Sequence, residues 1–137
     1  MITFNYETEF ALENEERTSS WVEEIIVKEG FTLGEVNYIF CDDKYLHKIN
    51  VEFLQHDTFT DIISFDYTLG KTVNGDIYIS VERVKENAEK FNVTFDNEMH
   101  RVIIHGILHY LGNKDTTEEE KKRMRNKENE CLLILNN

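Results

Sequence analysis

The segment from Asn97 to Leu111 constrains the fold more than any other part of the chain. Val102, Ile103, Ile104, Ile107, Leu108 and Leu111 recur at helical spacing and form a broad apolar stripe. A helix with so wide an apolar face has to be packed on more than one side, so the remaining elements must be arranged around it. Asp96 is placed to cap its start and Gly112 to end it.

The enclosing elements follow from the local patterns. Ile2 to Tyr6 alternates as a short strand. From about Glu9 to Glu29 the pattern is helical, with Trp21, Val22, Ile25 and Ile26 together, Thr18 or Ser19 as a cap for the stronger half, and Gly30 as the stop. Glu35 to Cys41 is rich in aromatic and β-branched residues and reads as a strand. Asp42 and Asp43 open a helix bearing Tyr45, Leu46, Ile49, Asn50 and Phe53, and His56 to Asp61 is a polar loop. Ile62–Tyr67 and Asp76–Ser80 read as strands in a hairpin-like arrangement around the Gly70–Gly75 turn region. Ser80 caps a helix to about Phe91. Thr116 or Thr117 opens a last helix with Met124, Cys131, Leu132 and Leu135 inward. This order predicts an α+β fold in a single domain over 1–137: one roughly four-stranded mixed sheet packed by about five helices.

Composition narrows the function classes. The net charge of −12 opposes whole-surface attraction to naked nucleic acid, and no DNA partner is expected. Charge is uneven, however: acidic residues crowd the first thirty positions, and Lys114, Lys121, Lys122, Arg123, Arg125 and Lys127 cluster late in the chain. Solvated helix faces are the expected reading of both runs, ahead of binding surfaces. The N-terminus carries no basic or apolar leader pattern, and no apolar run approaches the ~20 residues that span a bilayer. Cys41 and Cys131 lie far apart and neither has a metal-spaced partner. Reduced thiols in a cytoplasmic protein are the expectation.

Chemistry concentrates between His105 and Asp115. Two histidines four apart on a helix project from one face, the spacing at which two imidazoles share one tetrahedral ion. A left-handed turn at Gly112 swings the chain back so that Asp115 can supply a third ligand. Three protein ligands leave a fourth position for water, the arrangement of a catalytic zinc site, one ion per chain. Two edge histidines with Asp115 capping the next helix would show the same spacing. Zincin proteases place glutamate after the first histidine as general base; here that residue is Gly106, so the helix is zincin-like in its ligands but lacks that base.

The stretch His105-Gly106-Ile107-Leu108-His109-Tyr110-Leu111-Gly112-Asn113-Lys114-Asp115 resembles the His-Gly-x-Leu-His-x-x-Gly-x-x-His signature of the YbeY family, metal-dependent endoribonucleases that mature ribosomal RNA. Asn50, Asp57 and Thr60-Asp61-Ile62-Ile63-Ser64-Phe65 resemble the family's Asn…Asp-x-x-Thr-Asp-Val-Leu-Ser-Phe segment. Gly75-Asp76-Ile77 resembles its Gly-Asp-Ile strand start, and Met124 with Glu128 or Glu130 falls where the family's last helix carries Met and Glu. The resemblance covers roughly residues 35 to 135.

It implies an α+β fold with a four-stranded sheet, and a cytoplasmic, single-strand-specific endoribonuclease in ribosomal RNA processing and ribosome maturation. Zinc-activated water would attack the phosphodiester, and a ribosomal or ribosome-assembly protein is an expected partner. Two departures stand out. Asp115 occupies the position of the family's third histidine, and Leu54 that of an arginine suited to phosphate binding. His56, in the loop after Leu54, is either a partial substitute for that arginine or a solvated loop residue. Asp61 and Ser64 are candidates for the substrate groove, with Asp61 alternatively holding its loop through backbone hydrogen bonds. Asp76 reads as a strand start, His47 as solvated, and His100 as pointing away from His105. Alternatives to RNA cleavage are a metal hydrolase of a non-RNA substrate and a non-catalytic ribosome-assembly factor with a structural metal.

Overall fold

Alternation along the strands splits the apolar residues between two faces of one sheet, and the helices divide accordingly. The computed structural model describes residues 1–56 and 58–136; Asp57, part of the resemblance above, lies outside the described residues. Its strands are Ile2–Tyr6 (β1), Thr32–Cys41 (β2), Ile62–Asp66 (β3) and Thr72–Ser80 (β4). Its helices are Glu15–Lys28 (α1), Asp43–Leu54 (α2), Val81–Lys90 (α3), Phe95–Tyr110 (α4) and Glu118–Leu135 (α5). The sheet order is β1-β2-β4-β3, with β2 parallel to both neighbours and β3 antiparallel to β4. This is the α+β, four-stranded, mixed architecture with five helices that the periodicities predict.

Val36, Tyr38 and Phe40 of β2 and Val73, Ile77 and Ile79 of β4 are buried in one cluster with α1, α4 and α5. Cys41, Leu46, Ile49 and Ile63 form a smaller cluster under α2. Helix α4 lies in the main cluster along its whole apolar stripe, from Val102 to Leu108. Two glycines allow its close approach to the sheet. A Cβ on Gly106 would lie 3.0 Å from Ile77 Cδ1 and 3.2 Å from Ile62 Cδ1. A Cβ on Gly75 would lie 2.5 Å from the Tyr110 ring. Buried polar groups are paired: Tyr38 donates to the Ile103 carbonyl at 2.9 Å and the Trp21 indole to the Cys131 carbonyl at 2.8 Å.

Several boundaries differ from the sequence expectation. Helix α1 is capped by Asn14, which accepts from the Arg17 amide at 3.0 Å, whereas the Thr18 hydroxyl bonds back to the Asn14 carbonyl at 3.1 Å. Thr94, not Asp96, caps α4, and Asp96 sits in the first turn, where its charge suits the helix dipole. Thr117 caps α5 in a reciprocal box with Glu120. Both long strands start earlier than expected because Thr32 and Leu33 pair with Thr72 and Val73. Cys41 and Cys131 are buried free thiols, pushed up by that burial to about 12 and about 11. Among the described residues no helix is long and apolar enough to cross a membrane.

Candidate metal centre

The C-terminal end of α4 sets the site's geometry. Gly112 adopts φ +98°, its amide donates to the His109 carbonyl at 3.0 Å, and the Asn113 amide donates to the Leu108 carbonyl at 3.0 Å. Those two bonds are the 5→2 and 6→1 pair of a Schellman end, which reverses the chain within two residues. The reversal carries Asp115 back alongside the helix edge that presents His105 and His109.

Three donor atoms converge there. His109 Nε2 lies 3.1 Å from His105 Nε2, and Asp115 Oδ2 lies 3.3 Å from His105 Nε2 and 3.4 Å from His109 Nε2. Ligands held ~2.0–2.1 Å from a tetrahedral zinc are separated by about 3.3 Å along each edge. The triangle therefore has the size of one face of such a coordination shell, and these residues could hold a metal ion. All three side chains are half-buried, and His105 and Asp115 also line a cleft open to solvent.

Glu128 of α5 orients the centre. Its Oε2 lies 2.6 Å from His105 Nδ1 and its Oε1 accepts from Arg101 Nη1 at 2.9 Å. With Nδ1 carrying the proton for Glu128, His105 Nε2 keeps its lone pair for the converging cluster, the usual arrangement behind a metal-binding histidine. Burial by itself lowers the His105 pKa; the Glu128 hydrogen bond and the charges of Glu128, Asp115 and Asp61 outweigh it, so the net direction is upward. Glu128 shares its helix face with Met124, Cys131 and Leu135, all buried. A carboxylate on an apolar stripe was the sequence signal for this role, and it was visible only as a family position.

The other candidate residues separate. Asp61 lines a cleft beside His105 and Asp115 and accepts from Asn87 Nδ2 at 3.4 Å. Burial raises its pKa, against lowering by its backbone bond, His105 and Asn87. Ser64 is half-buried on β3, where it pairs with Ile77 of β4, and the neighbouring Phe65 carbonyl accepts from the Tyr110 hydroxyl at 2.9 Å. His56 is exposed just beyond α2, its amide bonded to the Asn50 carbonyl. Asp76 accepts from Asn37 Nδ2 at 3.0 Å on the sheet face away from the main core. His47 is stacked on Phe59 with ring centres 4.2 Å apart, because the loop after α2 folds back over that helix. His100 packs edge-on against Trp21, away from the triad. Glu98, unremarked in the sequence, is buried at the cleft and its pKa is raised, first by that burial.

A sheet-backed helix carrying two donors, a glycine reversal and a third donor beyond it make a domain whose helix end could hold a metal ion. The family model described as endoribonuclease YbeY matches residues 2–136. A Flavobacterium johnsoniae protein named endoribonuclease YbeY is 60% identical over 134 residues, covering 98% of this chain and 96% of the relative. Another so named, from Christiangramia forsetii, is 56% identical over 97% of this chain and 93% of its own. The solution structure of a Thermotoga maritima protein superposes with a TM-score of 0.68 at 30% identity, covering 96% of this chain and 89% of that one. The chain belongs to the YbeY family.

Proposed function

We propose that this protein is a zinc-dependent endoribonuclease that cuts single-stranded RNA in ribosomal RNA processing, its whole length serving as one hydrolase domain. The observation that carries the reading is the triangle of His105 Nε2, His109 Nε2 and Asp115 Oδ2, with edges of 3.1, 3.3 and 3.4 Å beside an open cleft. The two histidines and the aspartate would hold the ion, and their nitrogen and carboxylate donors suit zinc. When bound, such an ion makes a coordinated water a nucleophile at neutral pH and stabilises charge developing on phosphate oxygen.

The chain's own groups do the rest. Glu128 holds the proton of His105 at Nδ1 and fixes the ring. Arg101, bonded to both Glu128 and Asn129, fixes Glu128 in turn. Gly106 faces Ile77 and Ile62, so the zincin base position is filled by packing and carries no proton acceptor. Relatives named endoribonucleases favour RNA over a non-RNA substrate. A cytoplasmic location and recruitment by a ribosomal protein fit the acidic surface, whose net charge of −12 opposes long-range attraction to RNA and leaves binding to the cleft itself.

Elemental mass analysis of purified wild type beside His109→Ala and Asp115→Ala, with cleavage of single-stranded RNA followed in parallel, tests this reading. One zinc per chain, lost with cleavage in both variants, is expected. Wild-type protein that takes up no zinc, or that cuts RNA equally well in excess chelator, overturns it.

A further inference from the structure

The cleft beside His105 and Asp115 lies between α3, α4 and α5 and encloses about 330 Å³. That volume falls in the ~300–1,000 Å³ range of ligand sites. Two of its lining groups are exposed to solvent. Phe91, which ends α3, is 49% exposed, although an aromatic ring loses free energy by facing water. Arg125, on the exposed side of α5, makes no hydrogen bond or ion pair with any described residue. Arg101, in the same cleft, is by contrast bonded to both Glu128 and Asn129.

We propose that Phe91 and Arg125 form a nucleotide subsite next to the metal centre: the ring stacks on one base of a single-stranded RNA and the guanidinium takes a phosphate of the same strand. This inference rests on the endoribonuclease reading of the site. Stacking on an aromatic side chain needs an unpaired base, so the subsite selects single strands over duplex. A guanidinium binds phosphate through a two-pronged fork that a lysine does not offer. Lys90 adds positive charge at the Phe91 rim, its Nζ 5.7 Å from the ring centre.

The test measures binding of a short fluorescein-labelled single-stranded RNA by anisotropy across a salt series, using zinc-loaded protein. Denaturing gels of the same samples read cleavage. Phe91→Ala is expected to weaken binding about five- to a hundredfold, and Phe91→Trp to retain it, which separates lost stacking from a folding defect. Arg125→Ala is expected to lower the slope of log affinity against log salt by about 0.7, one single-strand phosphate contact. Arg123→Ala, which removes the same charge from the opposite edge of α5, should leave affinity within about twofold and the slope unchanged. Wild type that binds and cuts, with the Phe91 and Arg125 variants behaving like Arg123→Ala, overturns the subsite alone. Wild type that neither binds nor cuts RNA overturns the function and the subsite together.

Discussion

Glu128→Gln is the substitution that most sharply separates metal chemistry from packing. The carboxylate accepts from two donors at once, His105 Nδ1 at 2.6 Å and Arg101 Nη1 at 2.9 Å, at a residue that is 5% exposed. Glutamine keeps the shape but has a single oxygen, so its amide nitrogen must face one of the two donors. Arg101 cannot give up its proton, so the amide oxygen stays with Arg101 and the amide nitrogen turns to His105. His105 then accepts at Nδ1 and carries its proton at Nε2, the atom that belongs to the donor triangle. Loss of such a partner lowers metal affinity roughly 10- to 100-fold, about 1.4 to 2.7 kcal/mol. Titration against a chromophoric zinc chelator at pH 7 reads this directly. The expected result is unchanged stoichiometry with the weakened affinity. An affinity within about twofold of wild type would show that Glu128 does not set the His105 tautomer.

Two further outcomes follow from the packing and electrostatics. Gly75→Ala places a Cβ 2.5 Å from the Tyr110 ring and hydroxyl, displacing a side chain bonded to the Phe65 and Asp76 carbonyls; overpacking and broken hydrogen bonds together should cost about 2–5 kcal/mol in urea denaturation, and a loss below about 1 kcal/mol would contradict that contact. Glu98 has a raised pKa in the folded state, from burial first and then from Asp61, so ionising it costs more in the folded chain than in the unfolded one. The penalty is absent below the ordinary value of 4.5, grows as pH rises through the folded pKa, and is complete above it. Glu98→Gln should therefore raise the urea midpoint at pH 7 and converge with wild type at acid pH; destabilisation at pH 7 would reveal an unrecognised partner for the carboxylate.

What could be read before the structure depended on whether the signal was local. The alternation of Val36, Tyr38 and Phe40 and the wide stripe of α4 report burial directly, so the element order and sheet followed from them. The His105 and His109 pair and Gly112 were legible because helical spacing and a left-handed glycine are both local geometry. The early halves of β2 and β4 were not, because Gly34, Asn74 and Gly75 are poor strand formers held by pairing across the sheet, including the Asn74 side chain on the Glu35 amide at 2.8 Å. Asn14 was not legible as a cap because Glu15, Glu16 and Arg17, which follow it, carry no apolar periodicity. The Glu128–His105 bond joins residues 23 apart on different helices, and spacing rules do not reach that far.

The Schellman end of α4 also bears on how readily an ion is captured. Regarded as a chelator, the stretch from His105 to Asp115 is only eleven residues long. The entropy of bringing its donors together is lost when the helix closes on Gly112 and Asn113, before any ion arrives. A multidentate ligand set of this kind gives up little freedom on loading, so its affinity reflects the donors and not the cost of gathering them. Glu128, thirteen residues beyond Asp115, contributes from outside the chelate. Within the folded domain, losing Glu128 would leave the three donors in place but remove the group that turns His105 the right way.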